Sequence, residues 1–257
     1  VIFIPQGEFV AYGALTLAAF EAGKTPGMLW LLLGAGVLVA LIDTVIAVRG
    51  GNPGRIKRIV LWDLALPAAI AGLVLWLEPA TLPLAAKVAL SLAIVVPLGP
   101  MIYRLAYQPL AEASVLVLLI VSVAVHIALV GLGLLFFGAE GSRTTPFSEA
   151  QFNVGTLTVN GQTLWVLGAS CVLIVALYLF FGRTLYGKAL RATAINRVGA
   201  RLMGISTTLA GKLSFTLAAG IGALSGILIA PITTVYYDTG FLIGLKGFVA
   251  AIIAGLV

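Results

Sequence analysis

Residues 183–208 read RTLYGKALRATAINRVGARLMGISTT. The stretch carries Arg183, Lys188, Arg191, Arg197 and Arg201 and no acid, in a chain that is otherwise very apolar. Leu190, Ala194, Val198 and Leu202 recur every fourth residue, so one continuous helix would align them on one face. Arg197 and Arg201 share a different face at the same spacing. Gly187 and Gly204 bracket the segment, where a helix would be entered and left. Its composition is that of a basic loop between two membrane spans, the kind retained on the cytoplasmic side. Its period also fits a helix that docks a cytoplasmic partner.

The composition around it sets the class. Of 257 residues, 61% are hydrophobic and 9% charged, against about 25% charged in a soluble domain. Mean hydropathy is +1.16. Eight apolar segments stand out, at 7–20, 27–48, 59–77, 84–105, 113–138, 164–182, 209–230 and 242–257. Several reach the ~20 residues that cross a bilayer as a helix. None alternates polar with apolar residues as a barrel strand does. The expected fold is an all-α polytopic membrane protein, with one transmembrane domain over 1–257. The net charge of +6 is gathered between apolar runs, which fits topology control and gives no sign of nucleic-acid binding. The chain opens at Val1 without Met and stops at Val257 inside an apolar run. Further spans are therefore expected beyond both ends.

The positive-inside rule gives a consistent orientation. Loop 49–58, RGGNPGRIKR, has four cations and no acid and is placed in the cytoplasm. Counting spans from there puts Glu78 outside, Arg104 inside, the long polar loop 139–163 outside and 183–208 inside again. Trp30, Trp62, Trp76 and Trp165 lie near the ends of apolar runs, where indole prefers the headgroup level. Along 209–230, Ala210, Ser214, Ala218, Gly222, Gly226 and Ala230 form a small-residue stripe. Such stripes let membrane helices approach closely, so Ser214, Ala218, Gly222 and Gly226 are expected to pack against neighbours; lining a solute path is the alternative.

Chemistry-bearing residues are few. Ala18–Thr25 matches a nucleotide-binding loop loosely, but a helix precedes it and Pro26 follows, so it reads as an external turn. No catalytic set and no metal-ligand cluster is visible, and the single Cys171 cannot form an internal disulfide. His126 sits in the middle of 113–138 with no partner nearby in sequence, and reads as a hydrogen-bonded core residue. Pro5-Gln6-Gly7-Glu8 puts helix breakers and a carboxylate at the start of an apolar run. Such breaks occur where backbone is buried in protein or lines a cavity, so Gln6, Gly7, Glu8 and Tyr12 are candidates for the solute path. A plain N-terminal cap near the interface is the other reading of Glu8. Asp43 and Asp63 flank loop 49–58 and are expected to pair with its cations. Lys246, near the start of the last span, fits a side chain that snorkels to headgroups.

Three blocks resemble a known family. They are Gln6-Gly7-Glu8 with Tyr12-Gly13; Tyr103-Arg104-Leu105-Ala106-Tyr107-Gln108-Pro109-Leu110; and Gly187-Lys188-Ala189-Leu190-Arg191-Ala192-Thr193-Ala194 through Ala200-Arg201-Leu202-Met203-Gly204-Ile205, continuing into Gly240-Phe241 and Gly244-Leu245-Lys246-Gly247-Phe248. Together they are similar to the permease subunits of bacterial ABC importers for branched-chain amino acids, a branch that includes urea and amide permeases. Gln6 stands where the family often has His, the acid before Arg104 is absent, and the basic segment lacks the usual central acid. Segment 49–83 looks like an extra, peripheral helical hairpin.

The resemblance implies a permease of the bacterial inner membrane that binds no cofactor itself. ATP and Mg would sit on two ABC ATPase subunits. A second permease subunit would complete the path, and a periplasmic solute-binding protein would deliver the solute. Residues 183–208 would be the coupling segment, with Gly187, Lys188, Leu190, Arg191, Ala194, Asn196, Val198, Arg201, Leu202 and Gly204 facing the ATPase. An ion-coupled secondary transporter, or a channel for a small polar solute, is the competing reading.

Overall fold

The computed structural model describes residues 3–51, 54, 56–154 and 157–255. Asn52, Pro53 and Arg55 of the basic loop, and both extreme ends, lie outside the described residues. The chain is a helical membrane protein, in keeping with its composition. Among the described residues, five helical runs are long and apolar enough to cross a bilayer: α2 (Met28–Arg49), the run Leu84–Leu110, α7 (Val115–Phe137), α8 (Gly161–Arg183) and α11 (Thr207–Ile229). At about 1.5 Å per residue, the 23 residues of α7 span about 34 Å. Helix α1 (Gln6–Glu21) and α12 (Thr239–Ile253) are shorter.

Segment 59–77 is not one regular span. Helix α3 (Ile56–Ile59) runs into a π-helical stretch, Val60–Ala65, and then α4 (Leu66–Trp76). Segment 84–105 extends to Leu110, through α5 (Leu84–Val95), α6 (Leu98–Ile102) and a second π-helical stretch, Tyr103–Tyr107. Pro97, Pro100 and Pro109 remove three backbone donors along this run, which breaks it into short pieces.

The two ends differ chemically. Arg104, Arg197 and Arg201 gather around Tyr103 at one end, the basic end. The far end is closed by loop 139–163. There Thr145 donates from its N–H and hydroxyl to Glu21, at 2.8 and 2.9 Å, and Arg143 donates to the carbonyls of Pro231 and Ile232. The alternation counted from charge therefore matches the tertiary arrangement. One feature of that loop is absent from an all-helical reading. Strands β1 (Gln151–Val154) and β2 (Leu157–Asn160) form an antiparallel hairpin, Gln151 opposite Asn160. The loose nucleotide-loop match is a turn between α1 and α2, with Gly23 at φ 69°.

The core is the wrap of α5, α7, α11 and α12 around α1. Phe9, Tyr12, Leu17 and Phe20 of α1 are fully buried, with Ala219 and Ala223 of α11 against them. Helix α8 is the opposite case. Leu167, Val172, Ile174 and Val175 are exposed, a face suited to lipid. Trp30, Trp62, Trp76 and Trp165 are all exposed too.

Candidate transport site and coupling segment

Helix α1 begins in the middle of the protein. Gln6 Nε2 donates to the carbonyl of Ala218, 2.9 Å away and halfway along α11. Gly7 lies against Gly240, and a Cβ on either would overlap the other's backbone. The sequence brings two glycines together, so α1 and α12 cross at backbone contact. That closeness carries Glu8 inward until it is fully buried. Its Oε1 is 2.8 Å from Nδ1 of His126, at the midpoint of α7. Among the described residues, Glu8 Oε2 has no hydrogen-bond partner. The Tyr12 hydroxyl, one turn further on, donates to the carbonyl of Leu129.

This overturns the interface-cap reading of Glu8. A cap at the interface is exposed, and Glu8 is fully buried. His126 is indeed hydrogen-bonded, but its partner lies 118 residues away in sequence, and no local pattern in the sequence announces it. The pair belongs in the candidate set with Gln6, Gly7 and Tyr12. Intramembrane ionisable pairs of this kind are costly and are found where a solute or proton passes.

Cavities lie on either side of this level. Toward the far end, a cavity of about 460 Å³ is lined by His126, Val130, Tyr236, Asp238, Phe241 and Leu242, among others. Toward the basic end, one of about 290 Å³ is bounded by Tyr107, Ser214, Ala218, Leu190, Ala194 and Arg197, among others. Above it sit Phe3, Tyr107 and Phe215, with ring centroids 4.5 to 5.8 Å apart. Tyr103 joins them at 5.1 Å from Phe215. Tyr103 and Tyr107 are the two ends of the π-helical stretch, a distortion that recurs at functional sites. Tyr107 also exchanges a hydrogen bond with Ser122 at 2.9 Å.

The small-residue stripe divides. Gly222 and Gly226 are buried, Gly222 against Phe9 and Gly226 against the carbonyl of Val10. Ser214 is exposed and Ala218 only half-buried, and both line the basic-end cavity. Gly222 and Gly226 of the far half thus lie against α1, while Ser214 is exposed. Helix α1 begins level with Ala218, so it does not run beside the basic half of α11.

The basic segment is not one helix. Helix α9 (Leu185–Ile195) ends where Asn196 turns to φ −146°, ψ 102°, and α10 (Arg197–Leu202) begins. Asn196 Oδ1 accepts the N–H of Gly199 at 2.9 Å, an N-cap. The four-residue stripe is therefore broken. Leu190 is buried at the cavity, while Ala194, Val198 and Leu202 are exposed. The entry into α9 is tight. Thr184 caps it by accepting from the N–H of Gly187, and a Cβ at 187 would strike the backbone of Phe180. Gly204, at φ 78°, ends α10.

Two cations of the segment, of which Arg201 is expected to face the ATPase, are taken internally. Arg197 donates to the carbonyl of Ala111, and Arg201 Nη1 to Glu112 at 2.8 Å. Glu112 is exposed; the hydrogen bond from Arg201, and then its charge, holds the carboxyl below the usual carboxylate range. Lys188 and Arg191 remain exposed on α9. Around them stand Ile195 at 88% exposure and Leu202 at 82%, with Leu185, Tyr186, Val198 and Met203 also exposed. Arg104, lacking an acid beside it in sequence, finds one in Asp43 of α2. Asp43 thus pairs with the Tyr103–Tyr107 stretch. Among the described residues, no three His, Cys, Asp or Glu side chains cluster to hold a metal.

Comparison with known proteins agrees with this picture. The sequence model of the family described as "Branched-chain amino acid transport system / permease component" matches residues 63–257. The Gln6–Glu8 block lies outside that match. The chain is 27% identical over 166 residues to the high-affinity branched-chain amino acid transport system permease protein LivH of Escherichia coli, which covers 62% of this chain and 53% of that protein. It is 26% identical over 186 residues to the corresponding permease protein BraD of Pseudomonas aeruginosa, covering 70% and 61%. It is 29% identical over 127 residues to the autoinducer 2 import system permease protein LsrC of Yersinia enterocolitica, covering 49% and 34%. The chain spans about half the length of the LivH protein it matches. No solved structure matches. From the π-helical stretch at 63 to its last helix, the chain belongs to the family of branched-chain amino acid transport system permease components.

Proposed function

We infer that this chain is the transmembrane permease subunit of an ATP-driven ABC importer in a bacterial inner membrane. It moves branched-chain amino acids or a similar small polar solute inward. One observation carries the reading. The α9–α10 segment has its inner side, Leu190, Ala194 and Arg197, on the basic-end cavity, while its outer side exposes Ile195, Val198, Leu202 and Met203. A single element thus touches both the cavity and a surface fit for a partner. Exposed apolar patches with cations beside them suit protein contacts.

In this reading two ABC ATPase subunits, carrying ATP and Mg, dock on that surface. A second permease subunit completes the path, and a periplasmic solute-binding protein delivers the solute. Closure of the ATPases moves α9–α10, and the cavity wall moves with it. That is a coupling between two sites through a shared two-state element. The internal bonds of Arg197 and Arg201 tie α10 to loop 111–114, so the pair moves as a unit. Contact with the ATPase falls to the exposed apolar side chains, with Lys188 and Arg191. The hairpin 49–83 stays peripheral to the path in this scheme.

A second reading has its own support. The buried Glu8–His126 pair at mid-membrane is material for an ion-coupled carrier. Reconstitution separates the two. Uptake into proteoliposomes that requires ATP, the ATPase and a binding protein supports the importer; uptake driven by a proton or sodium gradient alone overturns it.

A further inference from the structure

The far-end cavity has a polarity that follows from proton counting. Glu8 is fully buried and touches His126 through Nδ1 alone. A dry carboxyl–imidazole pair is least costly when it carries no net charge. Two arrangements meet that condition. A neutral carboxyl donates to Nδ1, or a carboxylate accepts from an imidazolium. In both, the proton on the other ring nitrogen, Nε2, is present. The imidazole is the part of this pair that lines the cavity. Glu8 therefore fixes His126, a residue of the cavity wall, as a donor through its other ring nitrogen.

The opposite polarity comes from Asp238. It lies at the start of α12 on the same cavity and makes no capping hydrogen bond, so its carboxylate remains an acceptor. Thr239 is less available, since its hydroxyl already accepts the N–H of Tyr236 at 2.9 Å. Between donor and acceptor the wall is apolar: Val130, Leu242 and Phe241, whose ring lies 4.9 Å from that of His126. About 460 Å³ is the size of a small-ligand pocket, and a few placed polar groups on an apolar wall are its usual lining.

We propose that this cavity is a solute-binding site for one zwitterionic aliphatic amino acid. The solute carboxylate faces His126 Nε2–H, its ammonium faces Asp238, and its side chain lies on Val130, Phe241 and Leu242. The site rests on the permease reading above and adds to it a place and an orientation. The carboxylate end leads toward mid-membrane.

The test uses the full-length permease in nanodiscs and three probes, titrated by saturation-transfer NMR. L-leucine has both polar ends, 3-methylbutylamine only the amine, and 4-methylpentanoate only the carboxylate. Asp238→Asn should weaken L-leucine and the amine roughly tenfold, the loss of one charge-assisted hydrogen bond, and leave the carboxylate probe unchanged. His126→Phe should do the reverse. Because that variant strands Glu8, Leu242→Trp is run beside it; it fills the cavity from an exposed position and should abolish binding of all three. Equal responses of the two half-probes, or binding that survives Leu242→Trp, would overturn the site. ATP-driven L-leucine uptake by the wild-type complex is measured separately. Uptake without binding at this cavity sinks the site alone, and binding without ATP-driven uptake sinks the importer reading alone.

Discussion

The start of α1 and the basic segment α9–α10 treat their polar groups in opposite ways. At the start of α1, three contacts reach far along the sequence: Gln6 with Ala218, Gly7 with Gly240, Glu8 with His126. The backbone and side chains are enclosed, and one carboxylate oxygen is left over. In α9–α10 the caps are local, Thr184 to Gly187 and Asn196 to Gly199. Its apolar side chains point out. The first region is built to stay in place. The second is shaped by its own sequence and left ready for something outside. In the proposed reading the first is a fixed site and the second a movable handle.

The comparison can be broken most severely at Gly7. Gly7→Leu places a side chain in the backbone of Gly240. Overpacking of this kind costs about 3 kcal/mol or more, and the helix crossing cannot relax cheaply. Thermal unfolding of the purified protein should show loss of most of the folded fraction. A variant as stable as wild type would mean that α1 and α12 do not cross at this point.

Glu8→Ala comes next. It removes the partner of a half-buried imidazole and should cost about 1–3 kcal/mol, while Glu8→Gln, which can still bond Nδ1, should cost less. Thermal shifts of the two variants in the same detergent would rank them. Equal losses would place the stabilisation in packing and not in the hydrogen bond.

The basic segment should answer differently. Ile195→Asp with Leu202→Asp changes residues that touch little of this chain. Stability should change by less than about 0.5 kcal/mol, while ATPase capture falls roughly tenfold or more. Arg191→Glu should weaken capture less. An unaltered pull-down with the double aspartate variant would leave the exposed surface to lipid.

The smallest effect belongs to Glu112. Its carboxyl is held low by Arg201. The contact is therefore complete above the ordinary carboxylate pKa and is lost as pH falls through the lowered folded value. The group is fully exposed, so global stability is a poor readout. Amide exchange in 197–202 should speed up at that acidic pH, and Glu112→Gln should give the faster rate at neutral pH. Exchange that does not respond to either change would make the ion pair incidental.

Much of the frame was legible in the sequence. Hydropathy located the long helices, and the basic loops gave an alternation that the tertiary structure repeats. The resemblance of Gly187–Ile205 named the family. The errors share a cause. A period of four in 183–208 suggested one helix, but Asn196 prefers an N-cap to a helix interior, and it breaks the stripe. Arg197 and Arg201 looked free because Ala111 and Glu112 lie 86 and 89 residues away. Arg104 has no acid beside it in sequence and meets Asp43 across 61 residues.

The sequence by itself determined which stretches enter the bilayer, which end is basic and where the α9–α10 caps fall. Those outcomes follow from transfer energies and local hydrogen bonds, which act on neighbouring residues. The tertiary structure alone decided that Glu8 meets His126, that Arg104 meets Asp43 and that Gly7 meets Gly240. Those pairs depend on which helix faces rotate together. In a membrane nearly every face is apolar, so the pattern of hydrophobicity carries little information about rotation.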